Sequence, residues 1–309
     1  MTSPTANASS FSHVFVAVRA GPVGALTSDM AAACARAGLM GPAEESFTTL
    51  SESGDLAACE CSLSAAQAEI LSVSLAETSL DFDYAVVPAE GRRKRLLISD
   101  MDSTIIRQEC LDELAAFAGL KEKISAITER AMAGELDFDA ALTERVAMLE
   151  GLDLSALQEC YEKSITLMPG AETLVATMTA NGARCVLVSG GFTFFTQRVA
   201  AAAGFHAHRG NTLIDDGAKL TGAVGRPILG REAKQVALEE ECAAHQLTVS
   251  EAVAMGDGAN DLAMIRAAGL GIAYRAKPIV AAEADAAITH TDLRAALYFQ
   301  GYAEREFAG

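Results

Sequence analysis

Two aspartates stand two residues apart in Asp100-Met101-Asp102-Ser103-Thr104, directly after the apolar run Leu96-Leu97-Ile98. A short apolar run of this kind reads as a buried parallel strand, and open α/β sheets build their ligand sites at the carboxyl ends of such strands. A carboxylate placed there can attack phosphorus and form an acyl phosphate, while a second one moves the proton. Asp-x-Asp alone is common in turns and helix caps, so this chemistry needs support from elsewhere in the chain.

Three further places give it. The run Cys185-Val186-Leu187-Val188 leads into Ser189-Gly190-Gly191, a second buried strand that opens onto a hydroxyl and backbone amides suited to phosphate oxygens. Lys234 follows in a helix-patterned stretch that starts near Arg231. The run Val253-Ala254-Met255 then ends in Gly256-Asp257-Gly258-Ala259-Asn260-Asp261, again an acid at the end of a strand.

In this order, nucleophile, hydroxyl, lysine and acid pair resemble the motif pattern of the haloacid dehalogenase-like phosphatase superfamily. Within it, DMDSTIIRQE (Asp100 to Glu109), MAGELDF (Met132 to Phe138), ERV around Arg145, VSGGF (Val188 to Phe192) and GDGAND (Gly256 to Asp261) resemble the phosphoserine phosphatases. The likeness covers roughly the last two thirds of the chain. It implies Asp100 as nucleophile, Asp102 as general acid and base, and Mg²⁺ held by Asp100, Asp257 and the Asp102 backbone carbonyl. Ser189, the Gly190 amide and Lys234 would bind the phosphoryl oxygens, with Asn260 hydrogen-bonding in the same site and Asp261 holding Lys234 from behind.

The resemblance further implies a zwitterionic substrate, with Glu109 meeting its ammonium, Arg145 gripping its carboxylate, and Met132 and Phe138 closing over both. The implied reaction is hydrolysis of L-phosphoserine to L-serine and phosphate through an aspartyl phosphate, the last step of serine synthesis. Transfer to another amino-acid alcohol such as homoserine is an alternative within enzymes. An amino-acid-sensing module with a silent catalytic domain is an alternative outside them. The acid two residues after the nucleophile argues against a dehalogenase, and no run long enough to span a membrane supports a pump.

The elements that must position these residues give an α/β fold. We expect a doubly wound, Rossmann-like parallel sheet over 91–309 with an inserted helical cap at about 107–168, where only helix-like patterns occur. A β-hairpin is expected over Asn211 to Val224, turning at Asp215-Asp216-Gly217. Before it, residues 1–90 read as an α+β ferredoxin-like domain. Its strands are Val14 to Val18, Phe47 to Leu50, Leu56 to Cys61 and Tyr84 to Val87, its helices Val23 to Ala37 and Ala65 to Ala76, with a turn at Ser53-Gly54-Asp55. The loop Gly21-Pro22-Val23-Gly24-Ala25-Leu26 resembles the ligand loop of ACT-type amino-acid sensors, with Ala20 where an acid often stands. This implies an ACT-like regulatory or dimerising domain, and association of two copies stays open.

At 309 residues, half of them apolar, the chain has ample core for two domains. The formal charge of −17, and the pairing of only Arg19 and Arg36 with eleven acids in residues 1–90, disfavour nucleic acid and anionic lipid as partners. Arg92-Arg93-Lys94-Arg95 reads as a domain junction facing neighbouring acids. The cysteines, Cys34, Cys59, Cys61, Cys110, Cys160, Cys185 and Cys242, are scattered and form no Cys-x-x-Cys, which fits small buried residues in a reducing compartment. His206 and His208 alternate on a strand with no third ligand near in sequence, and read as ordinary histidines. With no leader pattern at the start, the expected location is the cytoplasm.

Overall fold

The structure, a computed structural model, describes residues 11–39, 46–51, 54–132 and 137–309. Ser53 of the expected turn and residues 133–136 of the MAGELDF stretch lie outside the described residues. The chain divides into two compact units. One runs to Arg93 and takes in Asp285–Phe307, while the other is Lys94–Ala284 with Ala308–Gly309.

The first unit begins β1 (His13–Ala20), α1 (Val23–Arg36), β2 (Thr48–Ser51), β3 (Leu56–Leu63), α2 (Ala65–Ala76) and β4 (Asp83–Pro88). These strands lie in the order β2-β3-β1-β4, all antiparallel, which is the split β-α-β arrangement expected from the sequence. Central β1 buries Val14 through Val18, and Leu26 and Met30 of α1 with Leu71 and Leu75 of α2 join Phe15 in one core. Ser64 starts α2 as a capping box, accepting from the Gln67 amide while the Gln67 side chain accepts from the Ser64 amide.

The second unit opens with β5 (Leu96–Ser99). Four helices follow: α3 (Cys110–Phe117), α4 (Lys121–Met132), α5 (Phe138–Ala147) and α6 (Leu154–Ser164). The segments leading into and out of this helical insertion are zipped together, Arg107 N–H donating to Thr166 O and Met168 N–H to Ile105 O. The chain continues through α7 (Ala171–Ala180), β6 (Arg184–Phe192), α8 (Thr193–Ala203) and β7 (Ala207–Asn211), then the hairpin β8 (Leu213–Asp215) and β9 (Leu220–Val224). It ends with α9 (Arg231–Ala244), β10 (Ala252–Gly256), α10 (Leu262–Ala267), β11 (Leu270–Tyr274) and α11 (Pro278–Ala281).

The sheet of this unit has the order β11-β10-β5-β6-β7, with every neighbouring pair parallel. Strand order therefore reverses between β5 and β10, the place where such sheets open a crevice at their carboxyl ends. Covered on both faces, Leu96–Ser99 and Ala252–Gly256 are buried at every position, which is why their sequences read as unbroken apolar runs.

Beyond Ala284 the chain returns to the first unit, where β12 (Ala286–Ile288) pairs antiparallel with β4 and α12 (Ala295–Phe299) is buried throughout. The sequence places this stretch in the second domain, over 91–309, whereas Asp285–Phe307 belongs to the first unit. Asp83 fixes it by accepting the amide hydrogens of Thr289, His290 and Thr291 and the Thr291 hydroxyl. The basic cluster divides between the units, Arg92 pairing with Glu60 and Arg93 with Glu306 in the first, Arg95 with Glu251 in the second. All seven thiols are free and buried. Among the described residues, no helix is long and apolar enough to cross a membrane.

Candidate active site

Asp100 continues the ladder one residue past β5, its amide donating to Met255 O at 2.9 Å. The chain then turns tightly on the Met101 carbonyl, which accepts from Ile105 at 2.9 Å and Ile106 at 3.0 Å. Ser103 takes a φ of 55°, a left-handed conformation costly for a residue with a Cβ. That turn aims Asp102 back over the strand end. Its Oδ1 accepts the Cys110 amide at 2.8 Å, the first of α3, and its Oδ2 accepts the Ser189 hydroxyl at 3.0 Å. A Cβ on Gly191 would lie 3.0 Å from Asp102 Oδ2, so the bare backbone there is what lets the two strand ends meet.

Lys234 enters from the first turn of α9 and is only 1% exposed. Its Nζ lies 2.7 Å from Asp100 Oδ1 and 2.6 Å from Asp261 Oδ1. The second Asp261 oxygen accepts the Gly258 amide at 3.0 Å. Glycine is required at 256, where a Cβ would fall 2.4 Å from Asp261 Cγ. Thr104 donates its hydroxyl to Asp257 Oδ1 at 3.3 Å, and Asn260 folds its Oδ1 over Gly258. Carboxylate oxygens of Asp100, Asp257 and Asp261 lie within 4.8 Å of one another.

So much buried negative charge raises the carboxyl pKa values. Burial, then repulsion from Asp261, holds Asp100 well above the usual carboxylate range against the pull of Lys234, and the same two causes push Asp257 up to about 6. Burial raises Asp102 as well, opposed by its hydrogen bonds from Cys110 and Ser189. Attraction to Asp100 and Asp261 outweighs burial at Lys234 and keeps it charged.

The helical insertion contributes two charges of opposite sign. Glu109 accepts the Ser103 hydroxyl at 2.7 Å, and although its outer surface is exposed, loss of water around its carboxyl with repulsion from Asp102 and Asp257 pushes it up to about 7. Half-buried Arg145 donates Nε to Ala141 O at 3.2 Å and feels the charges of Asp112 and Glu109, but forms no ion pair among the described residues. Among the described residues, no hydrogen bond engages the two terminal nitrogens of its fork. Phe138 sits over the Ser189–Gly191 turn, its Cζ 3.2 Å from where a Gly190 Cβ would be and its Cδ1 3.4 Å from one on Gly230. Met132 ends α4, and its side chain lies outside the described residues.

The structure thus brings Asp100, Asp102, Ser189, Lys234, Asp257 and Asp261 into one site. Sequence reasoning assigned no role to Thr104, which holds Asp257, or to Gly230, which receives the Phe138 ring. Thr104 lay within the aspartate motif itself. Nothing local marked Gly230.

Residues 97–266 match the model of the haloacid dehalogenase-like hydrolase family. A phosphoserine phosphatase of Streptomyces coelicolor is 41% identical over 254 residues, 81% of this chain and 62% of that protein, so the chain spans less than two thirds of this relative. A phosphoserine phosphatase of Polaromonas sp. is 44% identical over 204 residues, 64% of this chain and 86% of that protein. Among solved structures, a HAD family hydrolase of Salmonella enterica serovar Typhi superposes with a TM-score of 0.80 at 27% identity, covering 94% of this chain and 99% of that one. With the aspartates, serine and lysine gathered at the reversal of the sheet, these likenesses place the chain in a family: it belongs to the haloacid dehalogenase-like hydrolases.

Proposed function

We propose that this chain is a Mg²⁺-dependent phosphomonoester hydrolase that converts L-phosphoserine to L-serine and phosphate through an aspartyl phosphate on Asp100. The observation that carries this reading is the charge balance around Lys234, one ammonium between Asp100 and Asp261 with Asp257 beside them. A buried cluster of hard oxygen donors short of positive charge fits a divalent cation. Asp100, Asp257 and the Asp102 backbone carbonyl would hold it, because both Asp261 oxygens already accept from Lys234 and Gly258. Bound there, Mg²⁺ would supply positive charge beside a phosphoryl oxygen.

The remaining chemistry falls to side chains of this molecule. An Asp100 oxygen forms a bond to phosphorus as the bond from phosphorus to the seryl oxygen breaks, and Asp102 delivers its proton to that leaving oxygen. Asp102, now ionised, takes a proton from the water that attacks the aspartyl phosphate, which releases phosphate and restores Asp100. Lys234 and the Ser189 hydroxyl stabilise the charge spread over the phosphoryl oxygens. Glu109 meets the substrate ammonium, and the open fork of Arg145 takes its carboxylate by two parallel hydrogen bonds. The names of the Streptomyces and Polaromonas relatives support the same substrate. We assign the first unit an ACT-like regulatory or assembling role and the whole molecule to the cytoplasm.

The test is phosphate release from a panel of phosphomonoesters, with Mg²⁺ and with EDTA, while assaying the alcohol product. L-phosphoserine should be the preferred substrate and EDTA should abolish release. Preference for an ester lacking an amino or carboxylate group would overturn the substrate reading. Undiminished turnover in EDTA would overturn the metal.

A further inference from the structure

The ladder between β6 and β7 breaks at the phosphate-facing turn. Val188 pairs with Arg209 and Phe192 with Asn211, so Ser189, Gly190 and Gly191 bulge opposite the single residue Gly210. Such a bulge strips backbone groups of their ladder partners, and a buried carbonyl left that way must find another. The Gly190 carbonyl finds the side chain of Asn211. Asn211 Nδ2 donates to Gly190 O at 2.8 Å and to Leu229 O at 3.2 Å, while its Oδ1 accepts the Leu229 amide at 2.7 Å. The residue is 2% exposed, and only one orientation of its amide satisfies two carbonyls and an N–H together.

The Gly190 carbonyl and the Gly191 N–H belong to one planar peptide, so anchoring the oxygen fixes the direction of the hydrogen. That hydrogen points at Ser189 Oγ, 2.8 Å away, and Ser189 Oγ in turn donates to Asp102 Oδ2 at 3.0 Å. We propose that Asn211 is a positioning residue for Asp102, acting through the Gly190 to Gly191 peptide and the Ser189 hydroxyl. Its side-chain hydrogen bonds go to the Gly190 and Leu229 backbone, so it reaches Asp102 only through them. By tying Gly190 to Leu229, the residue before Gly230, it also holds together the two glycine loops that receive the Phe138 ring.

This inference rests on the reading of the site as a phosphomonoesterase with Asp102 as proton donor. Its signature is a leaving-group effect, because a serine alkoxide needs that proton to depart and p-nitrophenolate does not. Asn211→Ala removes the tie, and Asn211→Asp keeps its shape while losing the donor to Gly190. Both should lower kcat/KM for phosphoserine by about 10²-fold, the usual cost of a catalytic group displaced by about 1 Å. For p-nitrophenyl phosphate the loss should stay under about tenfold, since acid assistance contributes little there. The ratio of the two losses does not depend on the fraction of enzyme that folds.

Equal losses on both substrates, or no loss on either, would overturn the relay. If the wild-type protein hydrolyses p-nitrophenyl phosphate but not phosphoserine, the substrate reading fails, and the best alkyl phosphomonoester of the panel takes the place of phosphoserine in the same comparison. Should neither variant fold, amide hydrogen exchange of the wild-type protein decides the matter. Leu229, bonded only to a side chain, should be protected as strongly as the neighbouring ladder, and rapid exchange there would refute the tie.

Discussion

Replacing Lys234 by methionine keeps the buried stem and removes the charge between Asp100 and Asp261. The lysine is 1% exposed and its partners 5% and 0%, so little solvent screens what is left. Breaking a buried ion pair by removing one member typically costs about 3–5 kcal/mol, because the other is stranded. Two carboxylates are stranded here, which pushes the cost up, but they can escape by taking up protons, which pulls it down. Taking about 4 kcal/mol and about 2–4 °C per kcal/mol for a domain of this size, the metal-free variant should melt on the order of 10 °C below wild type at about pH 7.5. The sign with pH follows from Asp100. Its folded pKa is raised, so the folded protein holds that proton more tightly than the unfolded chain does, and stability is recovered as pH falls through the folded value. Lys234, with its own pKa raised, stays charged throughout this range. The deficit should therefore shrink at about pH 5. Calorimetry in EDTA at both pH values, on wild type and Lys234→Met, measures it. Equal melting temperatures at the higher pH, or a deficit unchanged at the lower, would refute the claim that this lysine offsets the carboxylate cluster.

Arg145→Ala should reduce kcat/KM for phosphoserine by on the order of 10²-fold, as expected for charged hydrogen bonds worth about 3 kcal/mol, and leave p-nitrophenyl phosphate nearly unaffected. Equal losses would mean that Arg145 serves the fold or the phosphate. Since the Glu109 carboxyl is pushed up to about 7, kcat/KM for phosphoserine should decline as pH drops below that value and the ammonium loses its partner. Glu109→Gln should remove this part of the pH profile, and an unaltered profile would exclude the contact. With Asp257 pushed up to about 6, protons compete with Mg²⁺ below that pH. Calorimetric Mg²⁺ affinity should weaken by about tenfold per pH unit there, and an affinity flat from pH 7 to 5 would remove Asp257 from the donor set.

Much of the candidate site was legible because each of its strands is covered on both faces and so carries an unbroken apolar run with a candidate site residue at the end. Leu96 to Ile98 pointed at Asp100, Cys185 to Val188 at Ser189 and Val253 to Met255 at Asp257. The helices and strands of the first unit were readable for a similar reason, since α1 and α2 bury one side against alternating strands. What stayed hidden depends on partners distant in sequence. Ala286–Ile288 is three residues long, too short to show any periodicity, and it is a strand only because β4 pairs with it. The role of Asn211 was invisible because it follows from a register shift, which no window of residues displays.

The return of Asp285–Phe307 to the first unit makes that unit discontinuous in time as well as in sequence. A ribosome completes β4 early, but the strand that pairs with it and the helix Ala295–Phe299 emerge only after Lys94–Ala284 of the second unit has been made. Until then one edge of β4 has no β12, and Asp83 waits without the three backbone amides that surround it in the finished fold. The first unit to be started thus waits for segments made after Ala284. A cut near residue 90 would not release an intact second unit alone, because it would leave Leu297, Tyr298 and Phe299, all fully buried in the intact chain, stripped of β1 and β4. In this molecule the natural excision runs from Lys94 to Ala284, and the amino-terminal unit is inherited from both sides of it.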